Sequence, residues 1–405
     1  MSRRVLIYSH DTVGLGHIRR CLALAGSLAQ RIDDLSVLVV TGSAAASSFS
    51  LPPRVDLLKL PGVRKITNGH YAPRSLDGEP GELRALRSGI LRETLKVFAP
   101  SLIYVDKEPL GPLGELADVL EENRAARRAG NGATTLLGIR DILDDPESVR
   151  REWRERGTAD AIGRLYDRVL VYGMREIFDL GREYGFPESL TRKIEYLGYI
   201  DPRERDGQGH AESHDGAQPK RVVVTAGGGE DGLFLFTSYL HAARTLETRR
   251  PLESTLVLGP DFPAGALESL ELLSNELTHR VYIVRFAEDM AYYVRNADLV
   301  VSMAGYNTIS EILAYGKHAL VVPRVEPRRE QLVRAERLAR LGLVSFVHPA
   351  ALTATSFSEA IARALDGVDT PLPPATVDLR GLERTASLVS TILEKDSERT
   401  WLRAG

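Results

Sequence analysis

The sequence predicts an α/β protein made of two doubly wound halves, each built on a mostly parallel sheet. Three observations lead there. Short apolar runs alternate with helix-periodic segments through both halves of the chain. A glycine-bearing turn follows the first strand of each half. Between the halves lies a polar tract, Asp201 to Lys220, with almost no large apolar residue. At 405 residues the chain is also long for one core.

Val5 to Tyr8 is apolar and short enough for a buried strand. Ser9 to His17 is a polar loop holding Gly14 and Gly16, and Ile18 to Ile32 has helical apolar spacing at Leu22, Ala25, Leu28 and Ala29. Leu35 to Val40 is the next strand, giving a βαβ opening with a right-handed crossover. Gly14-Leu-Gly16 lacks the third glycine of a dinucleotide fingerprint. His17 starts the helix at the carboxyl end of strand one, where open α/β sheets bind ligands. A ligand-facing or catalytic role and simple packing or capping both fit it. Leu51 to Pro80, rich in Pro, Gly and Arg, is expected to be an irregular loop whose Gly69-His70-Tyr71 either faces an acceptor or lies on the surface. A helix follows over Gly81 to Phe98.

Pro100 to Val105 and Thr134 to Ile139 are further strands, ending in Asp106-Lys107 and Arg140-Asp141. Their polar ends share the sheet edge of the His17 loop. Asp106 or Asp141 therefore serves as a general base, or else caps a helix or pairs with its neighbouring cation. Arg168 to Tyr172 and Ile194 to Leu197 complete the first half. In the linker, His210 and His214 have a metal-like spacing, but a polar tract without thiols reads as solvated chain.

The second half repeats the pattern. Strand Arg221 to Thr225 meets Gly227-Gly228-Gly229 and Gly232 before a helix over Leu233 to Leu246. Successive glycines expose backbone N–H groups to an anion, whereas Glu230 and Asp231 repel one unless they turn away or accept sugar hydroxyls. Leu256 to Leu258 and Val281 to Val284 are strands, and Asp289 to Arg295 a short helix. Next comes the densest stretch, Ala297 to Val344. Strand Leu299 to Val301 breaks at Gly305, and Thr308-Ile-Ser-Glu311 has the spacing of a capping box, opening a helix that ends near Gly316. A strand from Ala319 to Val322 stops at Pro323, and another helix starts near Glu330. Pro371-Leu-Pro-Pro374 is a semi-rigid connector to a tail helix, Leu379 to Leu393, expected to cross back onto the first half.

Composition narrows the function. A net charge of −3 gives no broadly basic surface for nucleic acid. The single cysteine, Cys21, excludes an internal disulfide and suits a reducing cytoplasm. No apolar run approaches the roughly 20 residues of a membrane span. A cytoplasmic protein is expected, with peripheral contact at the inner membrane face open. Arg124, Arg127 and Arg128 either touch anionic lipid or form a solvated helix face.

Three motifs, Gly14-Leu-Gly-His17, Gly227-Gly-Gly229 with Asp231-Gly232, and Ala297 through Gly305, Glu311, Pro323 and Gln331, together resemble the GT-B glycosyltransferases. Among these the chain is most similar to the MurG branch, of glycosyltransferase family 28 type, whose namesake adds N-acetylglucosamine to a lipid-linked muramyl peptide. The likeness covers most of the chain as architecture, its motifs much less. It implies two Rossmann-like domains facing across a cleft: an acceptor domain over residues 1–200, a linker over 201–220, a donor domain over 221–375, and a C-terminal helix over 376–405.

Carried onto this sequence, the resemblance places Phe286, Ala287 and Met290 beside the nucleotide base. The turn Ala304-Gly305-Tyr306-Asn307-Thr308 meets the diphosphate, Glu311 the ribose, and Glu330 and Gln331 the sugar. Glu311 also has its capping explanation, and Gln331 that of a polar helix start. Gly229-Glu230 replaces the Ser-Gln of MurG-type loops, Glu330-Gln331 replaces Gln-Gln, and Tyr306-Asn307 replaces a small, apolar pair. These departures argue against MurG itself.

The function expected is inverting hexosyl or N-acetylhexosaminyl transfer from a nucleotide-diphosphate donor, a UDP-sugar first, to an acceptor that is a lipid-linked sugar, a polysaccharide or a small metabolite. The sequence lacks an Asp-x-Asp pattern, so neither cofactor nor metal is expected. His17 is the first choice of base, because an ordinary imidazole titrates near 6.5. A nucleotide-sugar 2-epimerase or hydrolase of the same fold, and a non-catalytic nucleotide-sugar binding protein, are the alternatives. A Rossmann oxidoreductase fits poorly without its glycine signature.

Overall fold

The computed structural model describes residues 3–10, 16–67, 70–206, 218–367 and 377–404. Gly14, Gly69, His210, His214 and Pro371 to Pro374 lie outside them. The first half holds strands β1 (Arg3–Ser9), β2 (Leu35–Thr41), β3 (Val55–Lys59), β4 (Val63–Thr67), β5 (His70–Pro73), β6 (Leu102–Asp106), β7 (Thr134–Arg140), β8 (Arg168–Tyr172) and β9 (Ile194–Tyr196). The second holds β10 (Lys220–Thr225), β11 (Leu252–Val257), β12 (Arg280–Val284), β13 (Leu299–Ser302), β14 (Ala319–Val321) and β15 (Ser345–Phe346).

The first sheet runs β3-β2-β1-β6-β7-β8-β9 and the second β12-β11-β10-β13-β14-β15, parallel throughout. Each order grows outward in one direction from its first strand and then reverses. The reversal leaves a switch point between β1 and β6 in one sheet and between β10 and β13 in the other. Crevices at the carboxyl ends of such strand pairs are where doubly wound folds bind ligands. The central strands β6 and β13 are buried at every residue, as expected when helices cover both faces.

Residues 51–80 are not the irregular loop the prolines and glycines suggest. Val55–Lys59 is a parallel edge strand, and β4 with β5 forms an antiparallel hairpin. Pro52, Pro53, Pro61 and Gly62 punctuate these short strands and obscure their period in the sequence.

The helix that follows residues 11–15, Gly16–Arg31, packs against the tail helix Gly381–Ala404; Cys21, Leu24 and Leu28 share a core with Leu382, Val389 and Leu393. The tail returns through an exchange of backbone hydrogen bonds: Tyr199 N–H donates to Asp378 (2.8 Å) and Gly381 N–H to Tyr199 (3.0 Å). Arg124 pairs with Glu121 at 3.5 Å and Arg127 with Asp167 at 3.6 Å, so part of that basic cluster is neutralised locally. Among the described residues no helix is long and apolar enough to cross a membrane.

Candidate active site

At the first switch point His17 and Asp106 meet. His17 opens the helix Gly16–Arg31, and Asp106 ends β6. The His17 Nδ1 lies 2.6 Å from Asp106 Oδ2. The other carboxylate oxygen accepts from Arg20 Nε at 3.0 Å and also from Arg20 Nη2. Arg20 sits one helical turn after His17, which puts both on the same helix face. All three side chains are buried.

Burial lowers the His17 imidazole to about 3, and the pull of Asp106 in the opposite direction does not overcome it. Burial works against ionising Asp106 too, but Arg20 and then His17 outweigh it and hold that carboxyl below its usual range. Neutral His17 next to ionised Asp106 fixes the tautomer. Nδ1–H donates to the carboxylate, and Nε2 keeps its lone pair toward the cleft.

Asp141 belongs to a different cluster. Its carboxylate accepts from Arg334 Nη2 (2.9 Å) and Nε (3.3 Å), from Tyr199 OH (2.9 Å) and from its neighbour Ile142 N–H (2.8 Å). With its oxygens committed to these donors, it holds the halves together rather than presenting a base. Arg334 comes from the second half's helix Glu330–Arg340, and its Nη1 also donates to the Ala304 carbonyl at 3.1 Å. The same helix start receives Asp144, which accepts from Arg329 N–H at 2.7 Å.

At the second switch point the turn after β13 carries backbone strain. Ala304, fully buried, adopts φ 62°, a left-handed conformation a non-glycine residue takes up at a cost. Gly305 does not break the strand by left-handed geometry. It is extended (φ −62°, ψ 143°) and is itself the N-cap of the helix Tyr306–Tyr315. The capping box expected at Thr308 and Glu311 is therefore not formed, because Thr308 lies inside the first turn. Glu311 is 6 % exposed, on the next turn of the same helix.

The second glycine loop follows β10, the strand next to β13, and packs against the chain that follows β11. Gly229 has φ 98°, and a Cβ there would stand 2.3 Å from the Leu258 carbonyl oxygen. Gly227 (φ 71°) and Gly228 leave more room. Asp231 turns to Arg324 (3.0 Å), whose other nitrogen donates to Glu330 Oε1 at 2.6 Å. Gln331 accepts from Arg324 N–H at 3.0 Å. Arg324, after β14, thus ties the two residues assigned to the sugar, Glu330 and Gln331, and Asp231 of the glycine loop into one network. The second Glu330 oxygen is buried with no hydrogen-bond partner among the described residues.

Across the cleft the halves touch closely. A Cβ on Gly16 would stand 2.7 Å from Asn307 Nδ2, so the helix start of the first half lies directly against the turn after β13, and a larger residue there would displace the Asn307 side chain. Arg140 lies over the Tyr306 ring at 5.7 Å, and Tyr199 stacks on Tyr306 at 5.9 Å. Of the three residues expected near a base, Phe286 is exposed beneath the Arg19 guanidinium at 5.8 Å, while Ala287 and Met290 are half-buried against the core. The cavity between Gly16, Arg20, Ile200, Tyr306 and Glu311 has a volume of about 40 Å³. That holds a few waters at most.

The site includes residues that sequence reading passed over: Arg20, Arg140, Tyr199, Arg324 and Arg334. Two left a signal. Arg334 falls on the apolar stripe with Leu332, Ala335 and Leu338, and Arg20 lies among Ile18, Cys21 and Leu22. An arginine on a core-facing stripe calls for a buried partner.

The fold and site define a GT-B protein. Residues 222–379 match the glycosyltransferase family 28 C-terminal domain. The D-inositol 3-phosphate glycosyltransferase 2 of Catenulispora acidiphila is 28 % identical over 344 residues, 79 % of this chain and 77 % of that protein. The UDP-N-acetylglucosamine--N-acetylmuramyl-(pentapeptide) pyrophosphoryl-undecaprenol N-acetylglucosamine transferase of Caldicellulosiruptor saccharolyticus is 24 % identical over 329 residues, 78 % and 77 % of the two chains. Among solved structures, MurG of Acinetobacter baumannii superposes with a TM-score of 0.62 at 16 % identity, covering 96 % of this chain and 99 % of that one. A putative UDP-N-acetylglucosamine 2-epimerase of Listeria monocytogenes gives 0.66 at 11 % identity, covering 98 % of each chain; at such identities the likeness is one of fold. A family 28 C-terminal domain, glycosyltransferases among the similar sequences and a GT-B fold along the whole chain are together consistent with a MurG-like GT-B protein that is not MurG itself. Family and fold together support glycosyl transfer.

Proposed function

We propose that the protein transfers a sugar from a nucleotide-diphosphate donor to an acceptor hydroxyl or amine, with inversion and without a metal. The observation that carries this reading is the His17–Asp106 pair at 2.6 Å, set where the helix start meets the donor-side turn. His17 Nε2 takes the acceptor proton as the acceptor atom bonds to the anomeric carbon. The bond from that carbon to the diphosphate oxygen breaks, and the nucleoside diphosphate leaves with the electron pair. Asp106 offsets the positive charge that develops on the imidazole. Backbone N–H groups at the start of the Tyr306–Tyr315 helix meet the leaving charge. The family relative that uses a UDP-sugar supports UDP as the nucleotide.

The test is a melting panel of UDP, dTDP, GDP, ADP and CDP, followed by turnover of the matching sugar donors with and without candidate acceptors. Stabilisation by one diphosphate and acceptor-dependent release of it support transfer. Free or isomerised sugar formed without an acceptor replaces transfer by hydrolysis or 2-epimerisation. Binding without turnover leaves a nucleotide-sugar binding protein.

A further inference from the structure

Arg140 ends β7 in the middle of the cleft, and the carboxylates nearest to it are already engaged. Asp106 is held by Arg20 and His17, and Asp141 by Arg334 and Tyr199. The Arg140 Nε is buried with no hydrogen-bond partner among the described residues. Its Nη2 comes within 3.5 Å of His17 Nε2, too long for a good hydrogen bond. Its guanidinium spans the gap from His17 to the Tyr306 ring, at the N-terminus of the ten-residue helix Tyr306–Tyr315. A second cation stands on the adjoining strand end. Lys107 Nζ lies 3.5 Å from His10 Nε2, with Glu108 at 3.6 Å.

Cations drawn out of water without a counter-ion are costly. Burial, with Arg20 and Arg334 close by, brings Arg140 down to about 10, and burial lowers Lys107 as well. Lys107 has Glu108, whereas Arg140, beside a helix N-terminus, lacks the charge that a doubly negative oxyanion would supply.

We propose that Arg140 is a phosphate seat: its guanidinium receives a phosphate-class oxyanion in the cleft between His17 and Tyr306. The seat itself rests on geometry alone, and the carrier of the phosphate rests on the glycosyl-transfer reading. Two carriers present this chemistry, the diphosphate of the donor and a phosphate borne by the acceptor. A first-half arginine that binds the donor diphosphate would draw the halves together around it, and one that binds an acceptor phosphate would set the acceptor beside His17.

The experiment compares wild type, Arg140→Met and Arg140→Lys by thermal melting and by titration with inorganic phosphate, uridine and UDP. Without ligand, Arg140→Met is expected to melt at or above wild type, since a desolvated cation is removed. The stabilisation by inorganic phosphate should be lost in Arg140→Met and partly kept in Arg140→Lys. If the preference for UDP over uridine falls about tenfold or more in Arg140→Met, the carrier is the donor. If that preference is unchanged, and phosphate still stabilises UDP-saturated wild type but not UDP-saturated Arg140→Met, the carrier is the acceptor.

The seat is refuted if Arg140→Met binds phosphate and UDP like wild type, or if neither ligand stabilises wild type. It is also refuted if Arg140→Met melts well below wild type while Arg140→Lys does not, because Arg140 is then a structural cation. Phosphate that distinguishes wild type from Arg140→Met while no nucleotide binds would keep the seat and sink the transfer reading alone.

Discussion

Glu311→Ala separates a ligand-binding carboxylate from a structural one. Gly305 caps the helix Tyr306–Tyr315, so the spacing of Thr308 and Glu311 does not account for a carboxylate at this position, which is 6 % exposed beside the cleft. If Glu311 accepts ribose hydroxyls, its removal costs about 1.5–3 kcal/mol of nucleotide binding, the usual worth of a hydrogen bond to a charged group. That is a loss of about 10–150-fold in affinity. Wild type at 100 times its dissociation constant gains about 2.7 kcal/mol. At the same concentration the variant would keep only about 0.3–1.3 kcal/mol by the same relation. For 405 residues the unfolding entropy is about 0.85 kcal/mol per degree, so the wild-type shift is about 3 °C and the variant's about 1 °C. The assay is dye-monitored melting across a nucleoside diphosphate series, with unliganded melts of both proteins and of Glu311→Gln as references. An equal ligand shift in wild type and Glu311→Ala would refute the ribose role. A large drop in the unliganded melt of Glu311→Ala, with the shift intact, would make the residue structural.

Four further outcomes follow from the same geometry. His17→Gln should lower kcat by about 10²–10⁴ while leaving the nucleotide melting shift unchanged; near-wild-type turnover would remove the base assignment. Because buried His17 titrates at about 3, kcat/KM should show no acid limb near 6.5, and an inflection between pH 6 and 7 that disappears in His17→Gln would contradict the neutral, buried imidazole. The same shift makes the fold sensitive to acid: between about 6.5 and 3 the unfolded chain binds a proton that folded His17 refuses, so stability falls as pH falls. Going from pH 7 to 5 should cost about 2 kcal/mol in urea melts, and His17→Gln should flatten that slope. Arg334→Met leaves Asp141 buried with Tyr199 and Ile142 N–H alone and should destabilise by about 3–5 kcal/mol in urea unfolding; a loss under about 1 kcal/mol would show that the pair does not tie the halves together.

What the sequence disclosed and what it withheld divide along the range of the interactions. Strand and helix periods are local, so β1, β6, β10, β13 and the helices after them are legible from runs such as Leu299 to Val301. The connectivity rule for parallel sheets then places the ends of β1 and β6 on one edge, which is why His17 and Asp106, 89 residues apart, could both be singled out as candidates. Their pairing was not legible, because which polar ends share a switch point depends on strand order. Local signals also mislead where two of them compete. Thr308 to Glu311 satisfies the capping-box spacing, but Gly305, free of a side chain and extended, starts the helix three residues earlier. The prolines around β3, β4 and β5 read as loop because they interrupt strands too short to show a period.

The widest gap concerns the arginines. Asp141 and Arg334 are 193 residues apart, and neither sequence neighbourhood points to the other. Each makes sense only against the other, in a contact that exists once two sheets are already folded. A buried ion pair is a poor source of net stability compared with a packed apolar pair. Here it fixes a relation between halves: Arg334 also holds the carbonyl of strained Ala304, so the contact that ties the halves also shapes the donor-side turn. Parting the halves to admit a nucleotide would strip Asp141 of Arg334 and loosen Ala304 together. On the proposed transfer reading, the donor would have to restore in the closed state what opening removed, which would couple phosphate binding at that turn to closure over His17.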